Sequence, residues 1–186
     1  MEADQLTAGE KENLLKLARK TIEEKLFGKS TIDVETELPV MKEKRGAFVT
    51  LHIKGELKGC IGYIVAQDTV YSTIKEMALS AAFKDPRFRP LTKEEYKDID
   101  IEISILTPLI EVESWKDVVV GKHGIIITKG YYKGVLLPQV ATEYGWDTET
   151  FIRHGCMKAG LSPDEYKRGV TVEVFSACVF GEKDFE

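Results

Sequence analysis

The run Lys54-Gly55-Glu56-Leu57-Lys58-Gly59 returns as Lys129-Gly130-Tyr131-Tyr132-Lys133-Gly134, the same K-G-x-x-K-G once more further down the chain. Each copy follows a β-branched, strand-like run, Phe48 to Ile53 and then Gly124 to Thr128. Each is followed by a second apolar stretch, Cys60 to Val65 and then Val135 to Val140. A Lys-Gly step between two such runs is a hairpin turn, with the glycine taking the positive φ that tight turns need. A chain carrying the same hairpin twice is built from two copies of one supersecondary unit. Two copies are too few for a solenoid, and neither could bury its apolar faces alone.

The repeat continues past the hairpin. Ile74, Met77, Ala78, Ala81 and Ala82 recur at helical spacing, and the same offset sets Ile152 opposite Met77 and Cys156 opposite Ala81. A slightly shorter offset then aligns Thr92-Lys93-Glu94-Glu95-Tyr96-Lys97 with Ser162-Pro163-Asp164-Glu165-Tyr166-Lys167, both reading as capped short helices. Each copy ends in an alternating strand, Ile99, Ile101, Ile103, Ile105 and then Val170, Val172, Val174. Pro39 reads as a breaker in an irregular stretch, and Pro138 as the end of an apolar strand. Ahead of the repeats, a Thr7/Glu10 capping box, an apolar stripe (Leu14, Leu15, Ala18, Ile22, Leu26) and Gly28 predict a flanking helix over 8–27. The expected fold is therefore α+β. Two interlocked β-hairpin–helix–short helix–strand repeats, 46–107 and 123–180, are joined by 108–122 in a single domain.

Composition narrows the class. The 186 residues carry 26 Lys and Arg against 31 Asp and Glu, a net charge of −5, which leaves no global footprint for nucleic acid. Three scattered cysteines, Cys60, Cys156 and Cys178, and a start at Met1-Glu2-Ala3-Asp4 without a signal peptide predict a reduced, cytoplasmic protein. No apolar run reaches the ~20 residues of a membrane span. No C-x-x-C or H-x-x-x-H pair supports a metal site, and no cofactor signature is present. Asn13, Gln5, Gln67 and Gln139 are the only side-chain amides, and depletion of these beside abundant Lys and Glu is a habit of thermophile proteins.

The repeats differ most at Leu57-Lys58-Gly59-Cys60-Ile61-Gly62, where copy two has Val135 in place of Cys60 and Leu137 in place of Gly62. A thiol between glycines has little cover from its neighbours, and Gly59 and Gly62 would let a ligand approach the backbone. Lys58 and His52 could favour the thiolate, the nucleophilic form. The plainer alternative is a small buried hydrophobe. His123 could transfer a proton near neutral pH, Arg87 in Asp85-Pro86-Arg87-Phe88 could hold an anion, and Glu102 could act as base or anchor. Against these stand a solvated strand-end histidine, a locally paired turn and a solvent-facing strand residue.

Together with Lys158-Ala159-Gly160-Leu161, with His123-Gly124 and with Leu137 to Ala141, these segments resemble the AMMECR family, also called AmmeMemoRadiSam system protein A. The resemblance covers nearly the whole chain. It departs at Lys58, where the family pattern has arginine; lysine keeps the charge and loses the bidentate fork. The resemblance implies a duplicated α+β structure and a family of unestablished activity, linked by its name to radical-SAM and Memo-type proteins. Carried over, it makes Cys60 the first functional candidate, with Gly59 and Gly62 shaping its loop and Arg45, Asp85, Arg87, Glu102 and His123 as possible neighbours. Two readings follow. One is an enzyme or enzyme subunit with Cys60 in a cleft between the repeats, Cys60, His123 and Glu102 catalytic, and Arg45, Lys58, Asp85 and Arg87 on the substrate. The other is a binding or adaptor module that recognises a protein or RNA partner through Lys42, Lys44, Arg45, Lys54 and Lys58, whereas a small molecule is the partner the enzyme reading expects.

Overall fold

Thr7 and Glu10 close their capping box, the Thr7 amide donating to Glu10 Oε2 at 2.9 Å and the Glu10 amide to Thr7 Oγ1 at 3.2 Å. The computed structural model describes residues 6–185, so the leader reading of Met1 to Asp4 falls outside them. Helix α1, Ala8–Phe27, ends at Gly28, whose left-handed φ of 80° turns its amide onto the Glu24 carbonyl. Its buried stripe is Leu14, Leu15, Leu17, Ala18, Thr21 and Ile22. Pro39, expected only as a breaker, instead starts a one-turn helix, α2 (Pro39–Lys42).

The first repeat supplies a unit of its own, comprising the described residues up to Leu106 and from Cys178 onward. Strands β1 (Ala47–Ile53) and β2 (Glu56–Tyr63) form a hairpin closed by Lys54 and Gly55, at φ 53° and 84°. Positive φ at both central residues is the type I′ geometry that matches the strands' twist. Helix α3 (Val70–Phe83) buries Ile74, Met77, Ala78, Ala81 and Ala82, the predicted face. A 3-10 turn over Glu95–Asp98 leads into β3 (Ile99–Leu106), which pairs with β1. The last strand, β8 (Ala177–Gly181), completes a sheet in the order β2-β1-β3-β8. Val49, Leu51, Ile101, Ile103 and Ile105 fill one face against α1 and α3.

The second unit, Thr107–Ala177, repeats the plan. It contains β4 (Ile110–Glu111), the hairpin β5 (Gly124–Lys129) and β6 (Tyr132–Leu136), then α4 (Pro138–Glu143), α5 (Thr148–Lys158), a 3-10 turn over Glu165–Arg168 and β7 (Thr171–Phe175). Its sheet order is β4-β7-β5-β6. Ile125, Ile127, Phe151, Ile152, Cys156 and Val174 form its core. One detail shows that the repeat is structural as well as sequential. A Cβ on Gly59 would overlap the Ala81 carbonyl of α3, and a Cβ on Gly134, its equivalent in the second copy, would overlap the Ala159 amide at the end of α5. In each unit a helix rests directly on a glycine of the hairpin's second strand. Among the described residues no helix is long and apolar enough to cross a membrane.

Candidate functional site

Antiparallel register decides which side chains share a face. Thr50, on central strand β1, lies opposite Cys60 of β2 on one side and Glu102 of β3 on the other. Directly opposed residues point the same way, so the three form a row across the sheet. The neighbouring rows Val49/Ile103 and Leu51/Ile101 are fully buried in the core, which puts Cys60, Thr50 and Glu102 on the opposite face. Phe48, Gly62 and Ser104 stand beside them on one side, His52, Leu57 and Asp100 on the other. Each of Cys60, Thr50 and Glu102 is half-buried.

Cys60 is held at three points. The Thr50 hydroxyl donates to its Sγ at 3.0 Å. Its amide donates to Asp85 Oδ2 at 3.0 Å, and its carbonyl accepts from Arg87 Nη2 at 3.2 Å. Because β2 is an edge strand, its outward amide and carbonyl at Cys60 have no strand to pair with; the Asp85–Arg87 pair takes the place of one. Those bonds point away from β1, so Thr50 and Cys60 are a non-hydrogen-bonded pair, the kind whose side chains sit closest. Asp85 accepts in addition from the Arg87 amide (3.1 Å), Nε (3.0 Å) and Nη2 (2.7 Å), and its side chain is 2% exposed. Above all the bonds from Arg87, then those from the Cys60 and Arg87 amides, hold this carboxyl well below the usual carboxylate range, against the opposing effect of burial. The Arg87 side chain is 56% exposed, leaving part of its guanidinium facing solvent beside the thiol.

The remaining predicted residues are distributed as follows. Asp85 is a positioning residue, since its oxygens are spent on Cys60 and Arg87. The two glycines do not open the backbone to a ligand as the sequence suggested: α3 occupies the space over Gly59, and the Phe48 ring and Ala47 carbonyl occupy that over Gly62. Lys58 falls at a bulge, unpaired where the register shifts between Leu51 and His52, and its ammonium bonds Glu95 Oε1 at 2.9 Å instead of serving the thiol. Arg45 is buried at 4% exposure, its Nε donating to the Leu106 carbonyl at 2.9 Å and its Nη1 to Glu43, which makes it a strut. Lys42 pairs with Glu37, so three of the five cations in the basic stretch are already engaged. Glu102 makes no hydrogen bond or ion pair with the described residues. It lines a depression of about 470 Å³ with His52, Asp100, Asp184 and Lys183.

His123 belongs to the second unit, where its Nδ1 accepts the Val119 amide at 3.1 Å and burial, then the neighbouring Lys122 charge, lower its pKa. Cys156 is fully buried in that unit's core, with burial pushing its thiol up. Cys178 is half-buried against the first core. Among the described residues no group of three or more His, Cys, Asp or Glu is placed to hold a metal. Thr50 is the contact that sequence reasoning missed. Its strand was evident, but pairing register is a long-range property that one strand's pattern does not carry.

The chain is similar to archaeal proteins along almost its entire length. A Methanothermobacter thermautotrophicus protein is 46% identical over 185 residues, covering 95% of this chain and 96% of its own. A Methanocaldococcus jannaschii protein is 45% identical over 186 residues, covering 95% and 92%. The crystal structure of an uncharacterised Pyrococcus horikoshii protein has the same fold, at a TM-score of 0.73 and 38% identity over 92% of this chain and 91% of that one. The AMMECR1 family model matches residues 15–180, and the chain belongs to that family.

Proposed function

We propose that this protein is a cytoplasmic enzyme or enzyme subunit in which Cys60 is the nucleophile, acting in a pathway with radical-SAM and Memo-type proteins. The observation that carries the reading is the setting of one sulfur. Cys60 is half-buried, accepts a hydrogen bond from Thr50 at 3.0 Å, and has both main-chain groups fixed by the Asp85–Arg87 pair. Of these, the Thr50 hydroxyl on the sulfur is the contact that involves the thiol itself. Its counterpart Val135, by the repeat, supplies only bulk. In the proposed step the thiol loses its proton and sulfur forms a bond to an electrophilic carbon of the substrate. The bond from that carbon to its leaving group breaks, and the leaving group departs with a proton. A second nucleophile then releases the product and restores the thiol. Thr50 steadies the thiolate, and the solvent-facing part of Arg87 anchors an anionic group of the substrate. Glu102 is a polar contact or proton-transfer group for the substrate on the same face.

Intact-mass measurement on protein incubated with a small-molecule extract of archaeal cells tests the reading. The expected result is an adduct on the wild type that maps to Cys60 and disappears in Cys60→Ser. An adduct that persists in Cys60→Ser, or none on a protein that still accepts iodoacetamide at Cys60, speaks against a covalent mechanism. A salt-sensitive RNA complex formed equally by Cys60→Ser would favour the binding-module reading.

A further inference from the structure

The two hairpins settle their lysines differently. Lys129 and Lys167 in the second copy pair with Glu165 and, at 3.3 Å, with Asp164. Their counterparts in the first copy, by the sequence repeat, are Lys54 and Lys97, and neither makes a hydrogen bond or ion pair with the described residues. Register gives the cause. Leu51 pairs with Gly59 and Ile127 with Gly134, so the first hairpin holds one residue more between those pairs. The extra residue makes the bulge at Lys58, and a bulge re-aims a side chain. Lys58 bonds Glu95, the counterpart of Glu165, and so takes the carboxylate that Lys129 holds in the second copy. Lys129 ends a strand opposite Tyr132, whereas Lys54 is carried into the turn itself. There it is the one non-glycine residue with positive φ among the described residues, at 53°, a conformation that glycine adopts at less cost.

Lys54 and Lys97 line one depression of about 580 Å³, and most of its other charges are committed. Arg19 donates from Nε and Nη2 to Glu182, and from Nη2 to the Ile99 carbonyl at 2.8 Å. Glu182 also accepts the Ile101 amide at 2.9 Å, and Lys183 pairs with Asp100 at 2.7 Å. Asp98, the remaining acid, has no partner among the described residues. Two uncommitted ammonium groups therefore stand against one uncommitted carboxylate, a local positive excess on a chain of net charge −5. We propose that this depression binds the phosphoryl group of a small phosphorylated molecule between Lys54 and Lys97. The donors select the ligand. A planar carboxylate is matched by an arginine fork, and that of Arg19 is engaged with Glu182. Lysine ammonium groups are point charges with three rotatable donors, which suits a tetrahedral oxyanion of charge about −2. The volume falls within the roughly 300–1,000 Å³ of small-molecule pockets, which leaves room for the group that carries the phosphate. Asp98 repels the anion and limits its affinity. The site includes none of the residues that hold Cys60, so it stands independently of the nucleophile reading.

The test follows backbone amide shifts of the isotope-labelled full chain, titrated with inorganic phosphate and with glycerol phosphate at about pH 7.5 and constant ionic strength, where both are largely dianionic. Saturable shifts centred on Lys54, Gly55 and Lys97, with dissociation constants below about 1 mM, are expected. Tighter binding of glycerol phosphate identifies a phosphate ester as the ligand, and equal binding identifies free phosphate. Lys54→Gly, which relieves the positive φ, and Lys97→Gln should each weaken binding about three- to tenfold, the effect of one nearby charge on a dianion. Asp98→Asn should tighten it by a similar factor. Lys133→Gln removes the same charge from an exposed lysine of the second hairpin and should leave binding unchanged. No saturable shift up to about 10 mM, or affinities that Lys54→Gly and Lys97→Gln leave untouched, overturns the site. So does a Lys133→Gln effect as large as that of Lys54→Gly, which would make the binding a matter of net charge.

Discussion

Replacing Asp85 by asparagine removes one charge and one acceptor oxygen at the point where the edge strand is held. Asp85 accepts four hydrogen bonds, from the Cys60 and Arg87 amides and from Arg87 Nε and Nη2, at 2.7 to 3.1 Å. Asparagine offers a single oxygen, and its amide nitrogen would face donors. Bonds to a charged acceptor contribute about 1.5–3 kcal/mol each. Arg87 is 56% exposed and can turn to water, so its share of the loss is small. The amides cannot turn, and leaving one unsatisfied costs about 1–3 kcal/mol. The expected loss in Asp85→Asn is therefore about 2–3 kcal/mol at pH 7. Far-UV circular dichroism in urea, or amide exchange along β2, measures it; both tryptophans, Trp115 and Trp146, lie in the second unit, so indole fluorescence would report the other half. The pH dependence has a fixed sign. The native carboxyl binds its proton less readily than the unfolded one, so its contribution is complete above the unfolded pKa near 4 and fades as pH falls toward the lower native value. The gap between wild type and Asp85→Asn should shrink progressively below about pH 4. A gap no larger than the ~0.5 kcal/mol of an ordinary surface substitution at pH 7 would refute the clamp. So would a gap that stays unchanged from pH 7 to pH 2.

Three further outcomes are expected. Gly59→Ala and Gly134→Ala should each lower stability by about 1–3 kcal/mol or more, because backbone of a packed helix occupies the space a methyl would need; thermal unfolding close to wild type in either would show that the helix can shift. Arg87→Gln should cut the rate of Cys60 with anionic iodoacetate severalfold more than with neutral iodoacetamide, and an unchanged ratio of the two rates would remove the anion anchor. Scanning calorimetry should place the melting temperature above the ~45–65 °C of ordinary mesophile domains, as the scarcity of Asn and Gln suggests; a value inside that range contradicts the thermophile reading.

Local chemistry is readable from the sequence, and distant chemistry is not. The Thr7/Glu10 box, Gly28, the first Lys-Gly turn and the alternating isoleucines of β3 each encode a neighbour a few residues away, and each appears where the pattern put it; in the second hairpin Lys129 still pairs with Tyr132 and the turn is Gly130-Tyr131. The repeat is legible because one constant offset preserves both hairpin and helix. Pro39 and Pro138 read as breaks yet open α2 and α4, because proline at a first helical position starts a turn as readily as it ends a strand. At the candidate site the sequence names Cys60, Asp85, Arg87 and Glu102 but assigns the glycines and Lys58 to a ligand. Gly59, Gly62 and Lys58 are instead consumed by α3, Phe48 and Glu95, partners remote in the chain that no spacing rule indicates. Thr50 becomes visible only once three strands are in register.

The most direct measurement is native-state labelling of the three thiols with iodoacetamide near neutral pH, followed residue by residue in intact and digested protein. Cys60 should be modified well before Cys178 and far ahead of the fully buried Cys156, without loss of secondary structure. If Cys60 is labelled only together with Cys156, as the chain unfolds, its sulfur is a packing atom and the proposed chemistry is wrong.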